Sequence, residues 1–147
     1  MRTSSEAVET GSRMPEGDVS VPIRSDADVV AARSLGRSVA ESHGFGATDV
    51  TMIATAISEL ARNILKYAQE GEIMVEPVRR DSQAGVSVVA RDDGPGIADV
   101  GLAMQDGFST ANSLGLGLPG TRRLMDEFEI VSSVGSGTVV RAIKWLR

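Results

Sequence analysis

The 147-residue chain has no cysteine, which removes disulfide cross-links, a thiolate nucleophile and cysteine-ligated zinc from consideration. Its one histidine, His43, is too few for a histidine-built metal cage or a Ser-His-Asp triad. Aromatic residues amount to three Phe, one Tyr and one Trp, little material for stacking bases. A net charge of −5 opposes phosphate-backbone binding, which leans on lysine and arginine, so nucleic acid is not an expected partner. No run approaches the ~20 apolar residues of a membrane span, and no basic-then-apolar leader opens the chain. Cytoplasm is the expected location, with no membrane contact. What is present is an ordinary hydrophobic fraction of 41%, enough for one domain to bury a core without staples.

Along the chain, residues 1–17 are rich in Ser, Thr, Glu and Gly without periodicity and read as a disordered tail. One domain is expected over 18–147. "VSVPIR" (19–24) alternates like a strand, with Pro22 pointing to an edge. Ser25 or Asp26 caps a helix that ends at Gly44 and carries Val29, Ala32, Leu35, Gly36 and Val39 on one face. Thr48 or Asp49 caps a second helix, striped by Ile53, Ala56, Ile57, Leu60, Ile64 and Leu65. Strands are expected at 72–78 and 85–92, joined by the polar turn "RRDSQA". A glycine-rich connection follows, from 93 to about 116, with a short helical stretch near "VGLAMQ". Connections this long are usually functional, often lids. A helix "LPGTRRLMDEF", a strand "EIVSSV", a turn "GSG" and a strand "TVVRAIKWLR" complete the pattern. Three helices and about five strands, with antiparallel hairpins, make a two-layer α/β sandwich.

Four stretches carry candidate chemistry. In "SELARN", Glu59 and Asn63 stand one turn apart on one helix face. Such a pair can supply a general base and a neutral oxygen for Mg²⁺, or form a solvated face with Glu59 paired to Arg62 or Lys66. In "VVARDDGPGI", Asp92 shares strand parity with Val86, Val88 and Ala90. A carboxylate on that face needs a dedicated donor: an adenine amine, a backbone N–H or an arginine. Gly94 and Gly96 allow a planar base to approach the backbone, and equally suit a plain turn. "GLGLPG" (115–120) spaces its glycines as G-x-G-x-x-G, but the stretch before it, "DGFSTANSL", is no core strand, so a Rossmann reading lacks its first part. Gly115 and Gly117 instead open a helix whose N–H groups suit phosphate. In "GSGT", Thr138 begins a strand where its hydroxyl could reach adenine or simply follow a hairpin turn.

The order of these pieces resembles the GHKL nucleotide-binding (Bergerat) fold of gyrase, histidine kinases and MutL, from about residue 20 onward. That fold implies a mixed sheet with helices on one face. Within it, "VAARSLGRSVA", "GFGATD", "TAISELARN", "DGFST", "GLGLPGTRRLMDEF" and "AIKWLR" resemble the RsbT-type serine kinases, relatives of the anti-sigma factor kinases. The resemblance implies ATP and Mg²⁺ as cofactors, Glu59 as general base and Asn63 as Mg²⁺ ligand. It also implies Asp92 at the adenine amine with Thr138 assisting, Gly94 and Gly96 beneath the base, and Gly115 and Gly117 at the phosphates. Arg122 and Arg123 would support phosphates or a partner. The implied targets are serines on STAS-domain stressosome proteins, and the released kinase would activate a PP2C-type phosphatase. The alternative is an anti-sigma factor kinase that sequesters a sigma factor. The 98–114 loop is expected to be disordered without nucleotide.

Overall fold

The computed structural model describes residues 20–98, 100–105 and 117–147. The tail expected over 1–17, Gly115 and much of the expected lid at 98–114 lie outside the described residues. Strand β1 (Ser20–Ile23) leads into helices α1 (Asp26–Ser42) and α2 (Ala47–Tyr67), then the hairpin β2 (Gly71–Arg80) and β3 (Gln83–Asp92). A single turn, α3 (Val100–Ala103), and helix α4 (Gly117–Leu124) precede the hairpin β4 (Glu127–Ser133) and β5 (Gly137–Trp145).

The strands lie in the order β1-β2-β3-β5-β4, and every pairing is antiparallel. The sheet is therefore not mixed, as the family resemblance had implied. β5 inserts between β3 and β4, so these two strands, which run the same way, never touch. The two-layer α/β sandwich itself is as expected. α1 and α2 pack together on one face of the sheet through Val29, Ala32, Gly36 and Ala40 of α1 and Ile53, Ile57, Leu60 and Ile64 of α2. These helix residues cover Ile73, Val75, Val86, Val88, Val140 and Ala142 of the strands, and this apolar burial is the main stabilising term. A Cβ on Gly36 would run into the end of the Ile57 side chain, so this glycine gives Ile57 its seat against α1.

Local chemistry explains where elements begin and stop. Ser25 is the N-cap of α1, and the Asp28 carboxylate accepts the N–H groups of Arg24 (2.8 Å) and Ser25 (3.1 Å). At the other end His43 Nδ1 lies 2.9 Å from the Val39 carbonyl oxygen, serving a terminal acceptor. α2 starts earlier than Thr48 or Asp49 would suggest. Gly46 is its N-cap, and Asp49 sits in the first turn, where a carboxylate favours the positive helix end. The β2–β3 turn shrinks to Asp81 and Ser82, because Arg80 and Gln83 already pair and Asp81 takes the left-handed conformation (φ 56°).

α4 stops at Leu124 rather than continuing to Phe128. Lys144 Nζ donates to the Leu124 carbonyl at 2.8 Å, and Asp126 accepts the Trp145 backbone N–H at 2.7 Å. Both contacts come from β5, which local helix propensity does not include. The Arg147 guanidinium, hydrogen-bonded to Asp126, is the main reason that carboxyl sits below its ordinary value of 3.8, with the Trp145 N–H helping. A carboxyl lowered on folding contributes stability that is complete above 3.8 and is lost as pH falls through the lower folded value. Asp126→Asn is therefore expected to lower Tm at pH 7 and to flatten the acid limb of the Tm-against-pH curve. An acid limb of the parent's steepness in that variant would exclude Asp126 as its source.

Candidate functional site

β3 and β5 pair in a register that sets Asp92 opposite Thr138, at one end of the sheet. α2 passes over this end, and the 8-residue helix α4 begins beside it. Between them lies a cavity of about 110 Å³ with Asn63, Asp92 and Thr138 in its wall. Apolar atoms from Leu60 and Ile64 of α2 and Leu118 of α4 complete much of the remainder. Three candidates from separate sequence stretches thus converge on one site. Leu118 brings the first turn of α4, opened by Gly117, to the same wall.

The polar end of the cavity is built on hydrogen bonds. Asp92 Oδ1 accepts the Gly94 N–H at 2.8 Å, so a backbone N–H supplies one of the donors this carboxylate needs. Its second oxygen has no hydrogen-bond donor among the described residues. Thr138 Oγ1 lies 2.7 Å from Ser132 Oγ. Ser132 Oγ also accepts the Ile97 N–H at 2.7 Å and donates to the Gly137 carbonyl at 3.0 Å.

The glycines meet the protein itself. Gly96 has φ +79°, and a Cβ there would strike the Ser133 carbonyl. Gly137 has φ +87°, and its Cβ would strike the Asp92 carbonyl. With Gly135 N–H donating to the Pro95 carbonyl at 2.8 Å, the "DGPG" segment and the β4–β5 hairpin interlock. A Cβ on Gly94 would meet Ala68 at the end of α2. Close backbone approach, the reason for expecting glycine here, is therefore already required by protein neighbours.

Glu59 lies outside the cavity wall, one helical turn from Asn63, and is 8% exposed. Its Oε2 is 2.8 Å from Arg62 Nη1, the ion pair weighed as an alternative in the sequence. Lys66 lies over the Tyr67 ring at 5.4 Å, and Tyr67 lines the cavity. Arg122 and Arg123 are exposed in the last turn of α4, at the opposite end from Gly117. Sequence reading missed Tyr67, Ser132 and Thr121. Tyr67 continues the Glu59, Asn63 spacing by one more turn of four, a signal that was available. Ser132 is legible only once the hairpin register pairs it with Thr138. Thr121, fully buried, donates to the Gly117 carbonyl at 2.9 Å.

Residues 22–144 match the family model described as the histidine kinase-like ATPase domain. The chain belongs to that family. Among histidine kinase-like ATPases, it is 54% identical over 127 residues to the serine/threonine-protein kinase RsbT of Bacillus subtilis, covering 86% of this chain and 96% of that protein. It is 35% identical over 104 residues to an anti-sigma F factor of Caldanaerobacter subterraneus, covering 67% of this chain and 71% of that protein. An anti-sigma F factor of Heyndrickxia coagulans is 33% identical over 105 residues, with the same coverage.

Proposed function

We propose that this protein is the switch kinase of a bacterial partner-switching stress pathway, working in the cytoplasm. The enzyme is an ATP-dependent serine/threonine-protein kinase. Its targets in this reading are serines on STAS-domain stressosome proteins, and once released from phosphorylated targets it activates a PP2C-type phosphatase. The observation that carries the ATP site is the convergence of Asn63, Asp92 and Thr138 on one cavity beside the start of α4. Adenine would place its amine against Asp92 and Thr138, and the triphosphate would run toward the N–H groups opening α4. Gly115 and Gly117 would line that phosphate end, with Gly94 and Gly96 at the base.

Asn63 offers a neutral amide oxygen at the cavity wall. Among the described residues there is no cluster of three or more His, Cys, Asp or Glu side chains suited to hold a metal. A single amide oxygen fits Mg²⁺, which keeps most of its ligands as phosphate oxygens and waters. When bound with the triphosphate, the ion offsets charge on the phosphoryl oxygens. Glu59 takes the serine proton as the hydroxyl oxygen attacks the γ-phosphorus and the bond to the β-bridging oxygen breaks. Arg62 holds the Glu59 carboxylate until substrate arrives. Arg122 and Arg123, at the far end of α4, suit a protein partner better than a phosphate.

The test is radiolabelled γ-phosphate transfer from Mg-ATP to a purified STAS-domain protein. Label on serine is the expected result. Tight ATP binding without transfer, together with capture of a sigma factor, would replace this reading with the sequestering one that the anti-sigma F relatives represent.

A further inference from the structure

The hydrogen bonds around Ser132 settle the direction of the Thr138 hydroxyl. A serine hydroxyl has one proton and two lone pairs. Ser132 Oγ makes three contacts, to the Ile97 N–H, the Gly137 carbonyl and Thr138 Oγ1. The Ile97 N–H can only donate, and the Gly137 carbonyl can only accept. Ser132 therefore spends its proton on Gly137 and one lone pair on Ile97. The remaining lone pair must receive the Thr138 proton. Only this arrangement satisfies all three contacts, and it leaves Thr138 Oγ1 with lone pairs alone to offer the cavity. Asp92, as a carboxylate, also offers only acceptors, and one of its oxygens is committed to Gly94.

We propose that Ser132 is a specificity-determining positioning residue: by absorbing the Thr138 proton it makes the polar end of the cavity acceptor-only, so that a purine is selected for an amino group at carbon 6 and rejected for an oxo group there. This rests on the nucleotide reading of the cavity. Ser132 itself touches no ligand. It acts through Thr138, and it also ties that hydroxyl to the Gly-Pro-Gly segment at Ile97. An adenine amine donates to the two acceptors, whereas a 6-oxo oxygen in the same place sets lone pairs against lone pairs. The N1–H that accompanies the oxo group lies one ring position away, so the base must shift to use it.

The test measures dissociation constants of the full chain for ATP, purine riboside triphosphate, which lacks the amine, and inosine triphosphate, which carries the oxo group. The unaltered protein is expected to bind in that order, with inosine triphosphate weakest by roughly 100-fold against ATP. Equal binding of the last two overturns the inference without any variant. Ser132→Ala frees the Thr138 proton to turn into the cavity, so the preference for ATP over inosine triphosphate is expected to fall by about tenfold. Ser132→Thr, which keeps the hydroxyl, is expected to retain the preference. A uniform loss for all three nucleotides in Ser132→Ala is what a merely structural role gives, and it overturns the proposal. Asp92→Asn separates the two levels. Unchanged ATP affinity in that variant removes nucleotide from the cavity and the inference with it, whereas weakened ATP binding beside an unaltered Ser132→Ala preference overturns the inference alone.

Discussion

Glu59→Ala is expected to bind Mg-ATP almost as the parent chain does while transferring phosphate to a STAS-domain serine at least about 100-fold more slowly. The two halves of this result come from different features. Affinity is spared because Glu59 is not part of the cavity wall. Turnover is lost because a general base contributes on the order of 10²–10⁴ in rate, and a serine hydroxyl is a poor nucleophile with its proton in place. Folding should survive. Arg62 loses its partner, but its side chain is 54% exposed, so water takes over the guanidinium at little cost. Glu59→Gln is the matched control, since it preserves length and hydrogen bonding but cannot accept the proton. Single-turnover transfer and nucleotide titration measured on the same preparations check the prediction. Transfer at the parental rate in both variants would remove Glu59 from catalysis and leave it as the partner of Arg62.

Asp92→Asn is expected to weaken ATP binding by about 100-fold, the upper range for loss of a charge-assisted hydrogen bond. The Gly94 N–H, bonded to Oδ1, demands an acceptor, so the asparagine must turn its carbonyl oxygen toward Gly94. Its amide NH₂ then faces the cavity, donor against the adenine amine. The change is therefore more than the loss of a charge, and the backbone turn is preserved. Calorimetric titration with ATP reads the effect, and a thermal melt near the parental Tm shows that the loop is intact. Inosine triphosphate should lose much less, or gain, because its oxo group can accept from the new NH₂.

Much of this was legible in the sequence because the signals were local. The helical stripes of Val29, Ala32 and Gly36 and of Ile53, Ile57 and Leu60 appear as the buried faces of α1 and α2. Asn63, Asp92 and Thr138 were singled out from three separate stretches, and the structure assembles them in one cavity. What escaped depended on partners distant in sequence. The end of α4 is set by Lys144 and the turn after it by Trp145, neither visible from the helical pattern of 118–128. The antiparallel hairpins were readable from their turns, but the strand order was not, since no local residue announces that β5 will enter between β3 and β4. The glycines of "DGPG" were read as room for a planar base or as a plain turn, and in the fold protein atoms make the close approach. Their neighbours, Ala68 and the carbonyl of Ser133, could be named only from the fold.

The position of β5 also orders events during biosynthesis. It is the last of the five strands in chain order, yet it occupies an interior place in the sheet and is the one strand that β4 pairs with. A nascent chain that has released everything up to Ser133 holds β4 with no strand to pair with and β3 with one side exposed. Long-range pairing of this kind is slow and leaves unpaired edges open to other chains. Thr138 and Lys144, which complete the cavity and close α4, arrive on that same strand. The sheet and the cavity are therefore completed by the same strand, and without β5 the cavity lacks the wall that Thr138 supplies.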